Sequence, residues 1–136
     1  MLKALIPASL LLLSLGAGGF QAVRQTRQAQ IEQGRYLVEN VAMCVQCHTP
    51  RTQDGELIRS ELLKGAPIPV RSPFPNRQWA IQAPNIAGMG AWSEAEVIRF
   101  LETGLRPNGT RPLPPMPPFR MNEKDARAIA AFLRSL

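Results

Sequence analysis

Cys44-Val45-Gln46-Cys47-His48 is where this chain could do chemistry. In 136 residues there are two cysteines and one histidine, and all three fall in that pentad. C-x-x-C-H is the attachment signature for c-type haem. Two thiols at this spacing reach the two vinyl groups of one porphyrin edge and form thioethers. The residue that follows carries its imidazole onto the iron from the same side. Other uses of the pair fit less well. A thioredoxin-like site needs a strand-to-helix context, which Pro50 and a preceding helix do not offer. A Cys44–Cys47 disulfide closes too small a loop to stabilise much. A closed zinc site wants four ligands, and no further Cys or His exists to complete one. The same arithmetic excludes a disulfide scaffold and any mechanism built on two histidines.

A single histidine makes the second axial ligand the next question, because bis-His ligation cannot arise within one chain. The candidate sulfurs are Met43, Met89, Met116 and Met121. Met43 abuts the attachment site and is expected to point away from the distal face. Met116 lies in Pro112-Leu113-Pro114-Pro115-Met116-Pro117-Pro118-Phe119. Its flanking prolines fix φ and remove backbone donors, so the loop is stiff and held out of helix. Such a loop keeps a weak thioether on iron at little entropic cost. Met116 is the expected ligand, with Met121, Met89 or an open sixth position as alternatives. His/Met ligation raises the reduction potential relative to two nitrogens and leaves no vacancy for a substrate. Electron transfer is therefore expected, with no catalytic residue.

Helices must hold this site. Between Gln25 and Met43 there is no proline and one glycine, and Ile31, Tyr36, Leu37, Val38 and Val41 fall near helical spacing. A helix is predicted over about 28–43. From 49 to 90 the prolines 50, 67, 69, 73, 75 and 84 leave irregular loop, except for one short helix near 56–64. Ser93 and Glu96 form a capping box, Trp92 can staple onto Val97, and Gly104 supplies the C-terminal stop. Asn122 and Asp125 open a last helix in the same way, with Ala126, Ile129, Ala130 and Leu133 on one apolar face. No alternating pattern of useful length suggests strands. The expected class is all-α, with three or more helices and long proline-rich loops. So few aromatic residues leave a core deficit that something apolar and rigid must fill.

Residues 1–23 read as an export signal or a membrane anchor. Lys3 precedes an uncharged run from Ala4 to Val23 centred on Leu10-Leu11-Leu12-Leu13. Ala17 and Gly19 satisfy the small-x-small rule for cleavage. Retained as a helix, the uncharged stretch 4–23 would be about 30 Å long and just span a bilayer, although Arg24 and Arg27 on the exported flank oppose that. On either reading residues 24–136 form one domain outside the cytoplasm, in the periplasm or on the outer face of the inner membrane, where haem is attached to protein. The net charge of +6 is not a nucleic-acid signal, because the arginines are scattered and no aromatics interleave them. A basic surface of this kind suits an acidic protein partner.

Over residues 28–136 the sequence resembles class I c-type cytochromes. The resemblance runs through Gly34-Arg35-Tyr36-Leu37, Cys44-x-x-Cys47-His48-Thr49-Pro50-Arg51 and Ala83-Pro84-Asn85-Ile86. It continues through Gly90-Ala91-Trp92-Ser93, Met116-Pro117-Pro118-Phe119 and Ala131-Phe132-Leu133. More narrowly, it is similar to the haem domains in cytochrome subunits of membrane-bound alcohol and gluconate dehydrogenases, which usually carry three such domains where this chain has one. The resemblance implies that the first and last helices cross closely, placing Gly34 and Tyr36 near Phe132 and Leu133. Pro50 or a nearby carbonyl is the expected acceptor for His48 Nδ1–H. Arg77, Trp79 and Asn85 are expected at the haem propionates. The functional expectation is one heme c, bound through Cys44 and Cys47 and ligated by His48 and Met116. It carries single electrons between redox protein partners, with no small-molecule substrate. An anchored subunit of a larger respiratory, dehydrogenase or photosynthetic complex is the alternative, and a haem gas sensor is a further one.

Overall fold

The computed structural model describes residues 14–136. Helix α1 spans Ser14–Tyr36 and passes into a π-helical turn, Leu37–Val41. A one-turn helix, α2 (Val45–His48), carries the C-x-x-C-H pentad. Helices α3 (Glu94–Thr103) and α4 (Glu123–Arg134) complete the frame. Between α2 and α3 the chain is mainly loop, with single 3-10 turns at Arg59–Glu61 and Ala87–Met89. Two two-residue strands, β1 (Ala66–Pro67) and β2 (Gln82–Ala83), pair antiparallel with Ala66 opposite Ala83. The class is all-α, as the sequence implied, with this minimal ladder added.

The first helix differs from expectation at both ends. It begins well before Gln28, because no proline interrupts the chain after Pro7 until Pro50. It also loses α geometry at Leu37. Leu37 and Val38 are buried, while Val41, at the end of the wider π turn, is 56% exposed, and Tyr36, just before that turn, is 55% exposed. Arg35, beside Tyr36, lies over the Phe132 ring, its guanidinium 5.8 Å from the ring centroid. The expected boundary at residue 23 falls inside α1, and residues 1–13 of the export or anchor segment lie outside the described residues. Among the described residues no helix is long and apolar enough to cross a membrane.

Gly34 makes the frame possible. A Cβ there would stand 1.9 Å from the Ala128 carbonyl oxygen and 2.8 Å from Phe132 Cβ. Only a residue without a side chain lets α1 and α4 approach backbone to backbone. Helix α4 then buries Ala126, Ala128, Ile129, Ala130, Phe132 and Leu133. Its N-cap Asn122 accepts from the Asp125 amide at 2.9 Å. Helix α3 shows the capping box in full: Ser93 Oγ accepts from Glu96 N at 3.3 Å and Glu96 Oε2 accepts from Ser93 N at 2.8 Å. Gly104 ends it in the left-handed region at φ 67°. Trp92 meets Phe100 edge-on, with ring centroids 5.2 Å apart. The short helix expected near 56–64 is reduced to the single turn at Arg59–Glu61.

Candidate haem-binding site

The π turn hands the chain directly to the pentad. Ala42 N donates to Leu37 O and Cys44 N to Val38 O, while Met43 turns back with φ 52°. One helical turn then sets Cys44 and Cys47 on a common side, with His48 following. Both cysteines are free and partly buried, and His48 is only 5% exposed.

A mesh of long-range bonds fixes His48. Its Nδ1 lies 2.8 Å from the Pro84 carbonyl oxygen. A carbonyl can only accept, so Nδ1 carries the proton and the Nε2 lone pair is left for a metal. Of the carbonyls expected to serve, that of Pro50 is engaged elsewhere, taking the Ile58 amide at 2.9 Å. Gly65 N donates to His48 O at 2.8 Å, Thr49 Oγ1 accepts from Leu63 N at 3.0 Å, and Leu63 O accepts from Ile86 N at 2.9 Å. Leu63 is fully buried and Thr49 nearly so. Gly65 sits at φ 91°, and a Cβ there would approach Ala83 O and Asn85 N at 2.9 Å. Thr49, Leu63, Gly65 and Pro84 thus orient the imidazole. The sequence reading missed these roles because each is defined by a partner distant in the chain.

Burial shifts the proton affinities of His48 and Cys44. It holds the His48 imidazole below the ordinary histidine value, partly offset by the bond to Pro84. The neutral ring is the form that ligates metal. Burial likewise pushes the Cys44 thiol up to about 11, with a small further rise from Cys47 and a partial offset from a backbone hydrogen bond.

Cys44, Cys47 and His48 open onto a cavity of about 380 Å³. Its walls come from the pentad, the β1–β2 region, the 85–92 loop, the inner faces of α3 and α4, and the proline loop. Val97, Phe100, Leu101, Ile129 and Leu133 make its helical side apolar. Met116 lines it from the proline loop, and so do Met43 and Met89; Met121 does not. Met121 instead packs against the core, with its amide bonded to Leu101 O at 3.0 Å. The size suits an organic cofactor, for which cavities of roughly 300–1,000 Å³ are usual. The donor set fits haem c: two thiols and a neutral, oriented imidazole at the edge of an apolar chamber.

Of the three residues expected at the propionates, one lines the cavity. Arg77 lies over the Phe74 ring at 6.0 Å, and Trp79 Nε1 donates to Val70 O at 3.0 Å. Neither lines the cavity. Asn85 does, although its Oδ1 is committed to the Ala87 amide at 2.9 Å. Arg106 lines it too and was not anticipated. An arginine two residues past a helix-ending glycine, inside a proline-rich loop, was the available signal.

This architecture, a C-x-x-C-H turn and a methionine loop enclosing one apolar chamber inside a helical frame, is that of a c-type cytochrome domain. Residues 29–133 match the family model for cytochrome c oxidase, cbb3-type, subunit III, and the chain belongs to that cytochrome c family. It is 34% identical over 109 residues to a diheme cytochrome c-type protein of Cereibacter sphaeroides, covering 76% of this chain and 34% of the relative. It is 32% identical over 113 residues to the fructose dehydrogenase cytochrome subunit of Gluconobacter japonicus, covering 76% and 21%. It is also 30% identical over 120 residues to the gluconate 2-dehydrogenase cytochrome c subunit of Pantoea cypripedii, covering 78% and 26%. The chain spans about a third or less of the length of these relatives.

Proposed function

We propose that this chain is a single-haem electron-transfer domain working outside the cytoplasm. The observation that carries the reading is the convergence of Cys44, Cys47, His48 and Met116 on one apolar cavity. Heme c, bound there, supplies a one-electron couple. Cys44 and Cys47 tether it through thioethers, and one C-x-x-C-H in the sequence supports one haem. His48 presents Nε2 while Pro84 holds the opposite side of the ring. Met116 would hold the haem from the stiff proline loop, and a thioether ligand would favour the ferrous state relative to a second imidazole. The apolar walls keep water from the iron. No residue is assigned to catalysis, because His48 and Met116 would both hold the haem and leave no position for a substrate.

Redox proteins supply and remove the electron. The names of the relatives favour the specific alternative that this domain serves a dehydrogenase as its cytochrome subunit. Residues 4–23 would then be retained as an anchor, whereas a free carrier would lose residues 1–19; the intact mass of the mature protein separates the two.

The deciding experiment is the absorption spectrum of protein matured in the periplasm of a haem-attaching host. The expected result is sharp reduced c-type bands and a weak near-infrared sulfur-to-iron band, the latter lost in Met116→Ala. Rapid binding of carbon monoxide or nitric oxide by the unmutated reduced protein would overturn the closed-carrier reading and favour gas sensing.

A further inference from the structure

Between β1 and β2 the chain makes an excursion, residues 68–81, of which the cavity uses only the stem. Ile68 and Ala80 line the cavity, and residues 69–79 do not. Within the excursion Val70 is 51% exposed, Phe74 56% and Ile81 84%. Arg71 and Arg77 lie on either side of Phe74 in sequence, and neither joins an ion pair among the described residues. No acidic residue occurs from 62 to 93. Single exposed apolar side chains are ordinary, but three on one short excursion, with cations beside them, form a surface suited to contact.

The backbone of the tip indicates what it meets. Pro73 and Pro75 carry no N–H. Between them, Phe74 N donates to Ser72 Oγ at 3.1 Å. Phe74 O accepts from Ser72 Oγ at 2.7 Å and from Arg77 N at 3.3 Å. Lower down, Val70 O accepts from Trp79 Nε1 at 3.0 Å. The Phe74 main chain is thus satisfied within the loop while its side chain is exposed. A protein surface can offer hydrogen bonds to a docked loop. The edge of a hydrocarbon layer offers none, so a segment entering it must satisfy its own backbone. The Arg77 guanidinium lies 6.0 Å from the Phe74 ring centroid, which puts ring and charge side by side at the tip. A guanidinium there can reach lipid phosphate while its stem stays in the apolar layer. The stem is fixed, because Ile68 N donates to Ile81 O at 2.9 Å and Ala80 N to Pro114 O at 2.8 Å. Little has to be ordered when such a tip binds.

We propose that residues 70–77 form a membrane-binding tip. It seats the Val70 and Phe74 side chains in the interface of an anionic bilayer and sets Arg71 and Arg77 on its phosphates. This contact is separate from residues 4–23. It fixes which side of the domain faces the lipid, whether that segment is retained or removed.

The test uses mature holoprotein carrying Asn76→Cys at the tip or, as control, Ala95→Cys on exposed α3 surface. Thioethers at Cys44 and Cys47 leave the introduced thiol free to take a nitroxide label. Each protein is placed on vesicles of phosphatidylcholine, alone or mixed equally with phosphatidylglycerol. On the mixed vesicles the label at 76 should become several-fold more accessible to oxygen relative to a water-soluble nickel chelate. The label at 95 should not change. Phe74→Asp, and Arg71→Gln combined with Arg77→Gln, should each abolish the rise. The absorption spectrum should stay as it was, since none of these residues lines the cavity. A label at 76 that stays aqueous on the mixed vesicles overturns the proposal, even where another segment holds the protein there, and leaves the tip to a soluble acidic protein. An equal rise at 76 and 95 shows general adsorption and overturns it too. So does a rise on phosphatidylcholine alone that the arginine replacements do not alter.

Discussion

The helical frame and the two loops that close over its open side are built on opposite plans. The frame is held by backbone approach and apolar faces, with its termini capped by local side chains. The loops, 62–93 and 104–122, have little regular structure and are held by isolated hydrogen bonds to distant partners. Their charges differ as well. All ten acidic residues lie outside those two stretches, whereas the stretches contain Lys64, Arg71, Arg77, Arg106, Arg111 and Arg120. Exposed Val70, Phe74, Ile81 and Leu113 lie in the same stretches. The Ala80 amide bonds the Pro114 carbonyl at 2.8 Å, which ties the two loops together. The lesson is a division of labour: the frame supplies close packing, while the loops orient His48 and carry positive charge unmatched within their own sequence.

Gly34→Ala tests the frame hardest. A methyl cannot fit 1.9 Å from a backbone oxygen, so the helices must part. Overpacking commonly costs 1–3 kcal/mol, and against backbone the cost should reach at least about 3 kcal/mol. Denaturant unfolding of the oxidised holoprotein measures it. The bands of the fraction still folded should not move, because Gly34 does not line the cavity.

Gly65→Ala tests the loops. A left-handed φ and contacts of 2.9 Å with Ala83 and Asn85 should cost about 1–3 kcal/mol. Here the reduction potential should also change, since the strain falls on the backbone that presents Pro84 to His48. An unchanged potential would show that the loop mesh does not set the ligand's orientation.

Charge segregation predicts opposite salt effects. Reduced holoprotein should transfer electrons to ferricyanide several-fold more slowly as ionic strength rises, and to a cationic cobalt complex slightly faster. Replacing Arg71, Arg77 and Arg111 with Gln should flatten both slopes.

Least in size is the capping box. Ser93→Ala should cost about 1 kcal/mol of stability. Hydrogen bonds from the Ser93 amide and hydroxyl hold the Glu96 carboxylate below its ordinary value, so the folded state binds its proton less tightly than the unfolded state. That contribution is present above the unfolded value and is lost as pH falls through the lowered folded one. The stability gap between the unmutated protein and Glu96→Gln should therefore narrow on acidification, read from unfolding curves across the acidic carboxylate range.

Local signals carried far in this sequence. Ser93, Glu96 and Gly104 bounded α3, and Asn122 opened α4, because caps act within one turn of chain. Cys44, Cys47 and His48 were legible because thioether attachment and ligation demand a fixed spacing, and the prolines around Met116 marked a stiff loop. Val41 went astray because the π turn that ends on it changes the phase of the helix, and periodicity does not show where such a turn falls. The choice of Pro84 over Pro50 for His48 depends on a contact 36 positions away. That Arg106 lines the cavity while Arg77 and Trp79 do not has the same cause, since which residues face the cavity is decided by how both loops fold over the frame. The sequence by itself determined the C-x-x-C-H pentad and the ends of the later helices, where the physical constraint spans a few residues. Tertiary structure alone decided the imidazole's partner and the charged residue in the chamber, because loop closure brings together groups whose chain separation carries no local signal.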